Sequence, residues 1–152
     1  MEKKTALIVG ASRTIGLGLC REFVRRGWHV IGTVRGSGRT ALHEAADMSE
    51  GALEVEVLDM TDQDQLAALR ERLAGRRLDL VFVNGAIAND DDVLPRVSVE
   101  TFTEVMVTNA LSPVRVLDAI GTSSAPSVAA ARLRCTRPRT RQTELSRWRS
   151  WT

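Results

Sequence analysis

The sequence contains no tyrosine, only two cysteines, and only two lysines among its 21 basic residues. Both lysines, Lys3 and Lys4, precede the first apolar run, so almost all of the positive charge is arginine. Cys20 and Cys135 are too few for a framework of disulfides, which argues against a disulfide-rich secreted domain. No stretch reaches the roughly 20 apolar residues that a membrane-spanning helix requires. No apolar leader of the secretory kind is recognisable either, so we expect a cytoplasmic protein that does not enter membranes.

The composition is that of a globular protein, with 43% hydrophobic and 26% charged residues in a chain of 152. A chain of this length can bury roughly two thirds of the surface that its unfolded form exposes. The net charge of +2 conceals two regions: residues 1–131 hold 14 basic and 18 acidic side chains, and residues 132–152 hold seven arginines and one glutamate. The sequence therefore predicts one domain, residues 1–120, followed by an irregular arginine-rich tail, residues 121–152.

Apolar runs alternate along the first region with segments of helical period. Strands are predicted at residues 5–9, 29–34, 53–58 and 78–83. Helices are predicted from Ile15 to Gly27, from a cap at Thr61 to Gly75, and from Ser98 onward. The predicted inner faces of these helices are Ile15, Leu19 and Phe23; Leu66, Leu69 and Leu73; and Phe102, Val105, Met106 and Asn109. Alternation at this spacing predicts an α/β fold, a doubly wound parallel sheet between two layers of helices.

Residues 10–18 form a glycine-rich turn between the first strand and the first helix. In that position, backbone N–H groups and a helix N-terminus can face a pyrophosphate, and glycine allows the phosphate to approach. A tight turn without a ligand is the alternative. The placement directly after a buried strand favours binding.

Four segments, in order, resemble the short-chain dehydrogenase/reductase family. Residues 10–16 resemble its TGxxxGxG fingerprint, residues 58–62 the segment whose Asp contacts the adenine, residues 83–86 the NNAG strand end, and residues 107–109 the helix that bears the structural Asn of the catalytic tetrad. The resemblance implies a Rossmann-like fold and a nicotinamide cofactor. The cofactor-binding residues that it implies are Gly10, Ser12, Arg13, Ile15, Gly16, Arg35, Asp59, Met60, Asn84, Gly85 and Ala86. For the catalytic site it implies Asn109 alone.

The sequence departs from the family pattern at three places. Val9 stands where the family has Thr, and Thr14 stands where the middle glycine of the fingerprint is usual. Gly85-Ala86 reverses the family's order, which moves the point where backbone can approach the cofactor most closely. We expect the Cβ of Thr14 to narrow the turn and to lower cofactor affinity modestly.

The charges around the second strand favour NADP over NAD. NAD selection uses an acid about 20 residues beyond the glycines, and no acid occurs between Trp28 and Leu42. Arg13 and Arg35 can instead hold a 2′-phosphate, as in the family's NADP-preferring members. Two solvated surface arginines are the alternative.

The catalytic half of the resemblance is missing. The family uses the Tyr of a YxxxK motif as general acid/base, with its Lys lowering the Tyr pKa and a Ser polarising the carbonyl. Ser123 and Ser124 follow Asn109 too closely for that role, and we interpret them as a loop. By resemblance the chain is an NADP-dependent oxidoreductase that reduces a carbonyl or oxidises an alcohol. It is expected to be inactive as it stands, and the alternative is a non-catalytic NADP-binding fragment or subunit.

The tail suggests an out-of-frame continuation of a G+C-rich gene, because the family-like sequence stops abruptly near residue 120. Translating the other reading frames of the coding DNA would test this. The absence of a YxxxK motif from every frame would refute it.

A less favoured function is nucleic-acid binding through the tail, with Trp148 and Trp151 stacking on bases. An uncovered strand edge would favour a homo-oligomer.

The remaining polar clusters predict no metal site. Residues 90–92 are three aspartates without a recognisable ligand spacing, and a solvated acidic loop is the preferred interpretation. His29 and His43 are interpreted as surface or edge residues, and Cys20 as a core residue.

Overall fold

The computed structural model describes residues 3–88 and 97–121. The strands are β1 (Thr5–Val9), β2 (His29–Val34), β3 (Leu53–Val57) and β4 (Leu80–Val83). The helices are α1 (Thr14–Arg25), α2 (Ala41–Asp47), α3 (Gln63–Arg72), α4 (Val99–Met106) and α5 (Ser112–Gly121), with a π-helical turn, Val107–Leu111, between the last two. The predicted tail, including Ser123 and Ser124, and the acidic run 90–92 lie outside the described residues. No helix in the described part of the chain is both long and apolar enough to cross a membrane.

The four strands form one parallel sheet in the order β3-β2-β1-β4. β1 lies between β2 and β4, with Leu7 paired to Ile31 on one side and to Val81 on the other. Parallel neighbours require a crossover between consecutive strands, and helices supply those crossovers here. The predicted α/β fold with a parallel sheet is confirmed.

The core lies on both faces of the sheet because successive strand residues point in opposite directions. Leu7 and Val9 belong to the cluster formed with α3 and α5, whereas Ala6 and Ile8 belong to the cluster formed with α1 and α2. Cys20 of α1 is fully buried in the second cluster, and burial raises the pKa of its thiol to about 12. The interpretation of Cys20 as a core residue is confirmed.

Two local features differ from the sequence prediction. Helix α2 was not predicted: it has only seven residues, and it begins after Thr40, whose N–H donates to Nδ1 of His43 at 3.1 Å. The cap of α3 is Asp62 and not Thr61, since the Asp62 carboxylate accepts the N–H groups of Asp64 and Gln65. Either side chain can cap a helix, and only the backbone path decides which one does so.

The predicted inner face of α1 is also wrong in part. Ile15 is 67% exposed, and the residues of α1 that are buried are Gly16, Leu17 and Cys20. Because α1 begins at Thr14, Ile15 lies in the first turn, beside the carboxyl ends of the strands and beyond the sheet surface. A stripe at positions i, i+4 and i+8 drifts around a helix of 3.6 residues per turn, so its first member can leave the core.

The described part of the chain does not bury the predicted inner face of α4. Phe102 is 59% exposed and Met106 45% exposed. The buried side of the following segment is formed by Thr108, Ser112, Val116 and Ile120. The N–H of Ser112 donates to the carbonyl oxygen of Val107, five residues earlier, and this extra residue in the turn shifts which positions face the sheet.

Leu69 and Phe102 were both predicted to face the core, yet only Leu69 is buried. Leu69→Ala should lower the free energy of unfolding by about 2 to 5 kcal/mol, because it leaves a cavity in the α3 cluster. Phe102→Ala should cost far less, about 0.5 kcal/mol or below. Urea unfolding followed by circular dichroism measures both changes. A cost for Phe102→Ala equal to that of Leu69→Ala would show that Phe102 is covered by another part of the chain or by a second molecule.

Candidate nucleotide-binding site

A cavity of about 1620 Å³ opens at the carboxyl ends of the parallel strands. This is the edge of an open α/β sheet at which ligands bind, because the loops that leave the strands meet there. Ten of the predicted cofactor residues line it: Gly10, Ser12, Arg13, Ile15, Arg35, Asp59, Met60, Asn84, Gly85 and Ala86. Gly16 and Asn109 are not among the residues that line it.

The glycines of the turn are required by packing within the protein. Gly10 has φ +81°, and a Cβ on it would lie 2.6 Å from both Cα and N of Gly85. A Cβ on Gly16 would lie 2.2 Å from the carbonyl oxygen of Gly10. The expectation that glycine is needed to admit a phosphate is therefore incomplete, since the backbone of Gly85, just after β4, already excludes a Cβ at Gly10.

Hydrogen bonds from the neighbouring strands hold this turn in place. The N–H groups of Asn84 and Gly85 donate to the carbonyl oxygen of Val9 at 2.9 and 3.0 Å, and Nδ2 of Asn84 donates to the carbonyl oxygen of Gly10 at 3.0 Å. From β2, the hydroxyl of Thr33 accepts the N–H of Gly10 at 3.1 Å. The turn is thus fixed from both sides before any ligand is considered.

Asp59 and Met60 shape the cavity wall between β3 and α3. Oδ1 of Asp59 accepts the N–H and the hydroxyl of Thr61 at 2.9 and 2.7 Å, and its own N–H donates to Oε1 of Gln65 at 2.8 Å. Met60 is 7% exposed, and its Cε would lie 3.2 Å from a Cβ on Gly85. These contacts hold the Asp59 carboxylate and the Met60 thioether in the lining of the cavity.

The entrance to α1 is suited to an anion. Its N-cap residue, Arg13, makes no side-chain cap hydrogen bond, and the first turn contains no acid. The helix dipole and the free N–H groups of that turn favour negative charge there. Arg13 and Arg35 are exposed at the cavity and form no ion pair with any other described residue. The charge distribution therefore fits a ligand with phosphates at two places.

Asn109 ties the π-helical turn to the segment after β4. Its Oδ1 accepts the N–H of Ile87 at 2.9 Å, and its Nδ2 donates to the carbonyl oxygen of Ile87 at 2.8 Å. This pair of bonds uses the oxygen and one N–H of the Asn109 amide, and it holds the cavity wall at Ile87. Asn109 is thus in a positioning role within the described chain.

Several lining residues were missed by sequence reasoning. Helix α4 and the π-helical turn after it present Glu100, Thr103, Glu104 and Val107 to the cavity, at the i, i+3, i+4 and i+7 spacing of a helical stripe. The sequence contains that spacing, but the prediction chose the neighbouring stripe that includes Phe102 and Met106 as the inner face of the helix. Thr14 and Arg39 were missed too, and the clue for Thr14 was its departure from the family glycine.

No group of three potential metal ligands occurs within residues 3–88 and 97–121. His29, predicted to be a surface or edge residue, is partly exposed at the start of the inner strand β2, and its Nε2 lies 2.8 Å from Oε1 of Glu54 and 3.0 Å from Nη2 of Arg76. This cluster lies at the amino end of β2, away from the cavity. It contributes to the fold and not to the site.

The model of the short chain dehydrogenase family matches residues 4–124. The chain belongs to this family. Among curated short-chain dehydrogenases it is 31% identical over 115 residues to the 3-oxoacyl-[acyl-carrier-protein] reductase FabG of Haemophilus influenzae, covering 74% of this chain and 46% of that one. The chain therefore spans about half the length of such relatives.

Solved structures of short-chain dehydrogenases give the same fold. A short-chain dehydrogenase/reductase from Burkholderia multivorans with bound NADP superposes with a TM-score of 0.77 at 43% identity, over 81% of this chain and 55% of that one. A carbonyl reductase from Pseudomonas aeruginosa PAO1 in complex with NADP gives a TM-score of 0.74 at 31% identity, over 80% and 56%.

The close contact of Gly10 with Gly85 makes Gly10→Ala costly. We expect it to lower the free energy of unfolding by at least about 1 to 2 kcal/mol, because alanine is strained at positive φ and its Cβ meets backbone. Gly18, exposed in α1, is the matched control: a Cβ there meets nothing within 4 Å, and Gly18→Ala should stabilise by about 0.5 to 1 kcal/mol. Chemical unfolding of both variants tests the pair. Equal behaviour would mean that the turn relaxes away from β4.

Proposed function

We propose that residues 1–120 form the cofactor-binding domain of an NADP-dependent oxidoreductase, and that this chain binds NADP(H) in the cavity described above. One observation carries the proposal: Arg13 and Arg35 both line the cavity, and the N-terminus of α1 lies at the same cavity. The NADP held by the two solved relatives supports the same assignment. The positive guanidinium groups of Arg13 and Arg35 would attract the negative 2′-phosphate of NADP. NAD has no 2′-phosphate on its ribose, so this attraction favours NADP.

Each part of the cavity has a proposed ligand group. The start of α1, with Gly10, Ser12, Ile15 and Gly16, faces the pyrophosphate. Arg13 and Arg35 face the 2′-phosphate, since Arg35 directly follows β2 and Arg13 lies in the adjacent turn. Asp59 and Met60 border the adenine. The remaining proposed contacts, Asn84, Gly85 and Ala86, border the adjoining ribose.

The reaction of the family type is carbonyl reduction or alcohol oxidation, with the bound cofactor supplying or accepting hydride. The residues of this chain can bind and orient that cofactor. Reduction of a carbonyl also requires a proton for the oxygen, and no tyrosine and no lysine beyond Lys3 and Lys4 is present to supply or tune it. We therefore propose that the chain, on its own, is a non-catalytic cofactor-binding protein, with Asn109 as the remnant of the catalytic set.

Arg35→Ala should weaken NADPH more than NADH. The expected loss is about 1.5 to 3 kcal/mol of NADPH binding, the usual value of a hydrogen bond to a charged group, with NADH little changed. Fluorescence titration of both cofactors measures it. Arg21→Ala, which removes an exposed arginine of α1 outside the cavity lining, controls for the loss of one positive charge. Equal weakening of NADPH and NADH by Arg35→Ala would show that Arg35 does not contact the 2′-phosphate.

Carbonyl reduction by the purified chain should be absent or far below that of a full-length relative. A positioned general acid contributes about 10² to 10⁴-fold to such a step, and misplacement of the reactants costs about 10²-fold more. NADPH oxidation with several aldehydes and ketones measures the rate, with Asn109→Ala as control. Robust turnover that Asn109→Ala abolishes would contradict the proposal and would place a catalytic group in the tail.

A further inference from the structure

Thr14 has a backbone conformation that its side chain disfavours. Its φ is +44°, and among the described residues only Glu50, at +51°, shares a positive φ without being glycine. The left-handed region brings the Cβ of an L-residue close to the following carbonyl oxygen, and β-branching adds to the crowding. A residue held in such a conformation at a ligand cavity is a reason to ask what its side chain does there.

The hydroxyl of Thr14 is free to bind a ligand. Thr14 is exposed, lines the cavity and begins α1, and no hydrogen bond joins its hydroxyl to another described residue. Other threonines of the same lining are engaged: the hydroxyl of Thr61 donates to Asp59 at 2.7 Å, and that of Thr103 donates to the carbonyl oxygen of Val99 at 2.7 Å. The strained residue thus presents an unused donor where the proposed pyrophosphate lies.

We infer that the Thr14 hydroxyl donates a hydrogen bond to the pyrophosphate of the bound dinucleotide. The inference rests on the proposed function, and it adds a binding residue at a position where the family pattern has glycine. Thr14 exchanges backbone stability for a charge-assisted hydrogen bond. Because NADPH and NADH share the pyrophosphate, Thr14 contributes equally to both, unlike Arg35.

Three variants of Thr14 separate this role from simple obstruction of the turn by its Cβ. Thr14→Val keeps the branched shape and removes the hydroxyl, and it should weaken NADPH and NADH alike by about tenfold or more. Thr14→Ser keeps the hydroxyl and should bind both within about threefold of the original chain. Thr14→Gly should raise the melting temperature of the unliganded chain while weakening both cofactors.

Glu50→Gly is the matched control, because Glu50 has the same backbone strain in the turn before β3, outside the cavity lining. It should raise the melting temperature and leave both affinities unchanged. Fluorescence titration and thermal melting of the full chain give all the readouts.

The inference is overturned if Thr14→Val binds as the original chain does and Thr14→Gly binds more tightly, since the Cβ would then only obstruct the turn. It is also overturned if Thr14→Val weakens NADPH alone. A chain that binds neither cofactor overturns the proposed function itself, whereas cofactor binding with the expected Arg35→Ala selectivity and a neutral Thr14→Val refutes only the role of Thr14.

Discussion

The turn after β1 passes directly beside the backbone of Gly85 at the end of β4, and it can do so only because Gly10 lacks a Cβ. Their backbones are close enough that a Cβ on Gly10 would lie 2.6 Å from Gly85, and the N–H groups of Asn84 and Gly85 close the gap by donating to Val9. Two segments of the cavity lining are positioned from this contact. The start of α1 follows the turn, and Ile87, which Asn109 fixes, follows the end of β4.

The sequence was sufficient for the features that depend on local pattern. The four strands, the start of α1 and the cap at Ser98 follow from apolar period and capping chemistry, and ten of the eleven cofactor residues line one cavity. Features that depend on the path of the backbone could not be predicted from the sequence. Helix α2 is too short for a period, and the face of the last helices depends on the π-helical turn, whose bond from Ser112 to Val107 leaves no pattern in the sequence.

Seven of the ten exposed large apolar side chains among the described residues lie in β4 or in the elements that follow it along the chain. Phe82 of β4 is 42% exposed, Phe102 of α4 is 59% exposed, and Leu117 of α5 is 49% exposed. Among the described strands, β4 pairs only with β1. An open strand edge beside apolar side chains favours association with another chain or segment. The homo-oligomer therefore stays a prediction, and the edge of β4 is where we expect its interface.

In a short-chain dehydrogenase, cofactor binding and proton transfer depend on different residues. Under the proposed function, binding at the start of α1 would rely on backbone N–H groups, on the helix dipole and on two arginines, all of which lie within the first 120 residues. Proton transfer relies on one side chain with a tuned pKa at the reacting oxygen, and no other residue type in this chain reproduces a tyrosine with an adjacent lysine. The proposed cofactor site therefore does not depend on the residues that the family uses for proton transfer.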